Sequence, residues 1–148
     1  MPSRRRSRQR ALQILFLWDA RRQPVDDVIA AYYETLYSEE TPERPDRDPF
    51  VDELVRGVVD GIEPIDAIIT RHAEHWRIER MPAVDRNVLR LAVFEMRTIG
   101  TPPPVVIDEA LELARRYSGE ESVHFVNGVL DAARREIAAG AAGESDSG

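Results

Sequence analysis

The chain contains neither cysteine nor lysine. Without cysteine there is no disulfide, no thiolate cluster for zinc or iron–sulfur, and no thiol nucleophile. Without lysine there is no Walker-type phosphate lysine and no Schiff-base chemistry. No G-x-G-x-x-G, HExxH or G-x-S-x-G occurs either, so nothing in the chain specifies a dinucleotide cradle, a zinc protease or a serine hydrolase. The expectation is a protein that is not an enzyme, with no metal and no cofactor. No apolar run approaches the ~20 residues that span a bilayer. The stretch from Leu12 to Leu17 meets Trp18 and Asp19 too soon for a secretory core, and no small-residue cleavage site follows. The reading is a soluble cytoplasmic protein away from membranes, although an Arg-rich amphipathic start also suits a mitochondrial transit segment.

What is present is unevenly charged. The 148 residues hold 20 basic and 27 acidic side chains, a net −7, and every basic one is arginine. Residues 1–22 carry seven arginines and one acid (Asp19), whereas the remaining 126 residues are heavily acidic. A basic end is attached to an anionic body. At this length one ordinary domain with a sizeable core is expected.

Helical spacing dominates and strand alternation is nearly absent. Ser3 can cap a first helix whose stripe is Ala11, Ile14, Leu15 and Trp18, and Pro24 stops it. Asp26 and Asp27 open a second helix carrying Val28, Ile29, Tyr32, Tyr33 and Leu36. Residues 38–49, with three prolines and a run of charges, read as a loop. A third helix runs from about Phe50 to Gly61, and Pro64 opens a fourth. After Met81-Pro82 the strongest pattern places Val84, Val88, Leu91, Ala92, Met96 and Ile99 on one face, ending at Gly100. A sixth helix has Asp108 and Glu109 toward its positive end and Arg115 and Arg116 toward its negative one. Ser118-Gly119 closes it. A seventh carries Phe125, Val126, Val129, Leu130, Ala133 and Ile137. The reading is all-α: about seven helices in two small bundles, one domain over 1–137 with subdomains near 1–62 and 63–137, and a flexible tail over 138–148.

Several residues could carry function. Arg4, Arg5, Arg6, Arg8 and Arg10 place five guanidiniums within seven positions, and each presents a rigid donor fork that matches phosphate oxygens and stacks on bases. On a helix, Arg5, Leu12 and Phe16 fall on one stripe, a row of charge, apolar contact and ring suited to single-stranded nucleic acid. The same run could also serve as a solubilising arm. Scattered carboxylates such as Glu39, Glu40, Glu43, Asp46, Asp48, Asp52 and Glu53 read as solvated faces, not as a metal site. His72 reads as a packed histidine and His75 as an exposed one. Ser118 and Ser122 read as capping residues, and Trp18 and Trp76 as core anchors. Phe125, at the start of the last helix, is a core knob or a base-stacking ring.

The segment Phe125-Val126-Asn127-Gly128-Val129-Leu130-Asp131 resembles the signature of the NusB family of bacterial transcription antitermination factors. Pro82 to Arg90, Glu109 to Ala114, and the arginine run followed by Ala11, Leu12, Gln13 and Trp18 resemble further blocks of that family. The resemblance implies two perpendicular three-helix bundles and an RNA-binding role. It implies pairing with NusE, a small-subunit ribosomal protein, on the boxA element of ribosomal-RNA transcripts, within the RNA polymerase antitermination complex. It places Arg4, Arg5, Arg6, Arg8, Arg10 and Phe125 on the RNA surface, and Glu79 and Asp85 toward NusE. Phe16 stands between the two surfaces, where the family commonly has tyrosine. Glu121 stands where aspartate is common. A homodimer that covers the RNA surface is also open.

Two other readings remain at this point. A NusB-like domain also precedes certain ribosomal-RNA cytosine methyltransferases. A helical DNA-binding regulator would use Arg86, Arg90 and Arg97 on the fifth helix, although no preceding helix-turn of the expected kind is evident.

Overall fold

A computed structural model describes residues 3–39 and 46–146. Its seven helices are α1 (Arg4–Arg21), α2 (Val25–Glu39), α3 (Pro49–Asp60), α4 (Ile62–His72), α5 (Ala83–Phe94), α6 (Pro103–Tyr117) and α7 (Glu120–Asp146). A 3-10 turn spans Ile78–Arg80 and a π-helical turn spans Glu95–Ile99. The chain divides into two compact units, Met1–Asp60 and Gly61–Gly148. No helix among the described residues is long and apolar enough to cross a membrane.

In the first unit, Ser3 caps α1: its backbone is extended and its Oγ accepts from the Arg6 N–H (3.1 Å). Arg22 ends the helix in a left-handed conformation (φ 55°), its N–H reaching the Trp18 carbonyl at 2.8 Å. Asp26 and Asp27 occupy the first turn of α2, where the helix dipole favours them, and Arg56 of α3 pairs with Asp26. Ile14, Leu15 and Trp18 of α1 bury against Val28, Ile29, Tyr32 and Tyr33 of α2 and Val51, Leu54 and Val58 of α3. Residues 40–45, half of the proline-rich stretch, lie outside the described residues, but Asp48 near its end has a clear job. Its side chain accepts from the Phe50 N–H (3.0 Å) and from Ser7 Oγ, and its own N–H donates to the Tyr33 hydroxyl (3.2 Å). One aspartate thereby ties the start of α3 to α1 and α2. Burial pushes the Tyr33 phenol above its ordinary pKa, against the smaller opposing effects of the Asp48 amide and Arg10.

The second unit is built around α5, which packs against α4, α6 and α7. Val88, Leu89, Leu91, Ala92, Val93 and Phe94 are all buried, so the helix is apolar on nearly every side, as a central helix must be. Arg90 is 3% exposed and forks onto Asp66 of α4 (Nε–Oδ1 2.8 Å, Nη2–Oδ2 2.9 Å), with Nη1 donating to Asn87 Oδ1. The apolar pattern carries the fifth helix to Ile99, but the last five residues widen into the π-turn. The Gly100 N–H bonds back to the Glu95 carbonyl (2.9 Å), and Gly100 itself takes φ 81°, which glycine accommodates. Glu95 is buried there, accepting from Thr101 Oγ1.

Three other details depart from the sequence reading. Pro64 is the third residue of α4, not its first, and is tolerated because first-turn N–H groups have no intrahelical partner. Pro103 opens α6, which places Asp108 and Glu109 beyond its first turn. The backbone stays helical from 138 to Asp146 where a tail is expected, in keeping with alanine's high helix propensity.

Arg71 of α4 holds Glu136 of α7 by two bonds (2.8 and 2.6 Å), and His72 Nε2 lies 3.0 Å from the same carboxylate. Chiefly through the Arg71 hydrogen bonds, the Glu136 carboxyl is held down to about 2. A depressed carboxyl pKa stabilises the fold above the unfolded value and loses that effect as pH falls through the folded one. Urea titrations should therefore show wild type losing stability between about pH 4.5 and pH 2 faster than Glu136→Gln. Removing the partner of the buried guanidinium is a harsher change. Asp66→Ala is expected to lower unfolding stability by about 3 kcal/mol in the same assay, because Arg90 is left charged and buried.

Candidate binding surfaces

The first surface is the start of α1. Arg4, Arg5 and Arg6 are exposed, in the first turn of a helix that has no acidic residue there. The N-terminal end of a helix already carries the positive pole of its dipole, so three guanidiniums there oppose helix formation. The Arg4 guanidinium stacks on the Phe50 ring at 3.7 Å. Stacking leaves the in-plane N–H donors of the fork free to point outward.

The five-arginine cluster is smaller than the sequence suggests. Arg8 is 7% exposed, because position 8 shares a face with Ala11 and Leu15 and turns inward with them. Arg10 is half-buried. Leu12 is buried as well, which interrupts the expected row of Arg5, Leu12 and Phe16. Phe16, 42% exposed, stays on the surface about 16 Å further along the helix axis from Arg5.

The second surface lies where the linker after α4 meets the start of α7. Phe125 is half-buried in the first turns of α7 and meets Trp76 edge-on, with ring centroids 6.1 Å apart and planes at 62°. Trp76 is no core anchor: it is 52% exposed. It belongs to no helix and follows His75, which holds a left-handed conformation at φ 67°, so helical register cannot place it. Its position between two helical segments was the available signal. The two rings, with Met81, Pro82, Asp85, Glu121 and Ser122, line an open cavity of about 210 Å³.

The acidic residues expected to face a partner behave differently from each other. Glu79 is exposed in the 3-10 turn. Asp85 is 4% exposed, so it cannot act as part of an open ridge. It stands in the first turn of α5, where the dipole favours a carboxylate, and accepts from Ser122 Oγ at 2.9 Å. Ser122 in turn shares a 2.7 Å bond with Ser118, the residue that ends α6. Asp85 Oδ1 is buried and has no hydrogen-bond partner.

The proposed DNA-reading face of the fifth helix is not formed. Arg90 is consumed by Asp66, Arg86 is half-buried with Nη1 on the Met81 carbonyl (2.8 Å), and only Arg97 is exposed. His72 is half-buried on Glu136, and His75 and His124 are exposed. No group of three or more His, Asp or Glu side chains that could hold a metal occurs among the described residues.

Comparison with known proteins places these surfaces in context. The sequence model of the NusB family matches residues 5–135. The transcription antitermination protein NusB of Solibacter usitatus is 72% identical over 137 residues, covering 93% of this chain and 92% of that protein. Its counterpart in Koribacter versatilis is 47% identical over 136 residues, covering 91% and 90%. Among solved structures, NusB of T. maritima superimposes with a TM-score of 0.77 at 34% identity, covering 91% of this chain and 92% of that one. A structure of the antitermination factors NusB and NusE in complex with double-stranded RNA gives 0.75 at 30% identity, covering 90% and 96%. With family resemblance running through nearly the whole sequence and the same helical architecture beneath it, the chain belongs to the NusB family.

Proposed function

We propose that this chain is a non-catalytic adaptor in transcription antitermination, holding a boxA-type RNA and NusE for the transcribing RNA polymerase. The observation that carries the RNA half is the exposed triplet Arg4, Arg5 and Arg6 at the positive end of α1. Charges that work against their own helix are explained if they meet a polyanion, since phosphate gains from both the guanidiniums and the helix terminus. Phe16 offers exposed ring surface on the same helix, and the family resemblance adds Phe125 as a base contact on the second unit. The protein half rests on the exposed carboxylate of Glu79 and on the naming of NusE beside NusB in a structural relative. A cytoplasmic location follows from the same role.

Single-stranded RNA is the favoured form, because unstacked bases can reach exposed rings whereas the deep A-form major groove is closed to side chains and the minor groove is read mostly by shape. A competition between boxA-type single strand and its duplex tests this, and preference for duplex would contradict it.

Arg8 is buried, so three or four phosphates are within reach of the α1 arginines. Log affinity should then fall against log salt with a slope of roughly −2 to −3. The double variant Arg5→Ala/Arg6→Ala is expected to flatten that slope by about 1.4 while the helical circular dichroism stays unchanged. An unchanged slope would show that these side chains do not meet phosphate. Glu79→Arg is expected instead to slow association with NusE several-fold at low salt and to leave RNA binding alone intact. Surface plasmon resonance with each partner separately reads both effects.

A further inference from the structure

Between Glu121 and Asp131 the outer face of α7 carries neither carboxylate nor guanidinium; its exposed residues are His124, Asn127 and Gly128. Two of these weaken a helix interior relative to alanine, glycine most of all. Neither backbone nor packing requires the glycine. Gly128 lies within regular helix at negative φ, and a Cβ there would meet nothing within 4 Å. Gly140 has the same room, but it stands among alanines near the far end of α7, with no aromatic residue one turn before it. Gly128 instead follows Phe125 by three residues, which makes the two positions neighbours on the helix surface. Helical side chains lean toward the N-terminus, so any side chain at 128 would lie over His124 and Phe125. Its absence leaves that side of the ring open, while Trp76 meets the ring edge-on from the linker.

We infer that Gly128 is the gap through which a nucleotide of the RNA reaches Phe125: the base stacks on the ring, and the sugar and phosphate lie across the bare backbone toward Arg135. The inference rests on the reading of Phe125 as a base contact and adds how the base is admitted and where its phosphate goes. Charge sets that direction. Glu120 and Glu121 stand at the N-terminal side of the gap and repel a phosphate, whereas on the other side Arg134 and Arg135 share the single carboxylate of Asp131. Two helical turns separate Gly128 from Arg135, so the two lie on one stripe about 10 Å apart. Arg135 is 69% exposed and gives Nη2 to Asp131 (2.8 Å), leaving the other donors of its fork for a phosphate. His124 and Asn127 flank the gap. Imidazole and carboxamide each combine donor and acceptor, as base edges and 2′-hydroxyls require.

Substitutions in the full-length chain separate a gap from a structural glycine. Gly128→Ala should raise the thermal unfolding midpoint by about 2–4 °C, since alanine is the better helix former and its Cβ has room. Gly128→Leu should keep the helical circular dichroism and weaken boxA-type RNA binding about five- to fifty-fold, the loss of one stacked base. Arg135→Gln should flatten the salt dependence of RNA binding by about 0.7 in slope. NusE binding by the chain alone should not change in any of the three. A lower midpoint for Gly128→Ala, undiminished RNA binding by Gly128→Leu, or an unchanged slope for Arg135→Gln would overturn the proposal. A loss confined to NusE would overturn it in favour of a protein segment on the bare backbone. Failure of the wild-type chain to bind boxA-type RNA would instead sink the wider reading. Cytidine monophosphate then still tests the gap: it should shift the Phe125 ring resonances of the 13C-labelled wild type and leave those of Gly128→Leu in place. Equal shifts in both chains, or none in either, would overturn the proposal.

Discussion

A first helical turn made of arginine is held against its own dipole, and the first unit is built around that constraint. Each exposed guanidinium at this end costs about 0.3–1 kcal/mol of helix stability. The unit meets this from elsewhere. Ser3 closes the cap, the Phe50 ring carries Arg4, and Asp48 fastens the start of α3 to Ser7 of α1 and to Tyr33 of α2. The apolar face of α1 is packed into α2 and α3, so the helix does not depend on its own terminus for stability.

The second unit treats charge in the opposite manner. Its central helix is buried almost all round, and the polar groups it carries inward are matched by specific partners: Arg90 by Asp66, Glu95 by Thr101 and Asn87 by the Ala83 carbonyl. Asp85 is the exception, with one oxygen held by Ser122 and the other unmet. A well-satisfied interior makes a single unsatisfied acceptor beside two aromatic rings informative. The two units therefore offer surfaces of opposite character, guanidiniums on one and carboxylates with rings on the other.

The seven helices were legible because each carries an apolar stripe at spacings of three and four and is bounded by proline, glycine or serine. Ser3, Pro24, Gly100 and Ser118 act at the boundaries their chemistry suggests. The π-turn at Glu95–Ile99 was not legible, since Met96 and Ile99 keep the helical spacing while the hydrogen bonds beneath them lengthen by one residue. Periodicity assigns faces but not partners. It could not show that Arg90 meets a carboxylate 24 residues earlier, that Arg8 and Asp85 turn inward, or that Asp48 joins three helices. Trp76 escaped for the converse reason: outside any helix, it has no register from which exposure can be read. The signature around Phe125 supplied the family, whereas which charges face outward had to come from the fold.

The most direct measurement is an NMR titration of the arginine side-chain Nε–Hε resonances with boxA-type single-stranded RNA. The account expects the resonances of Arg4, Arg5 and Arg6 to move first and furthest, and the buried guanidinium of Arg90 to stay in place. Movement confined to the second unit, with the first turn of α1 silent at saturation, would contradict it.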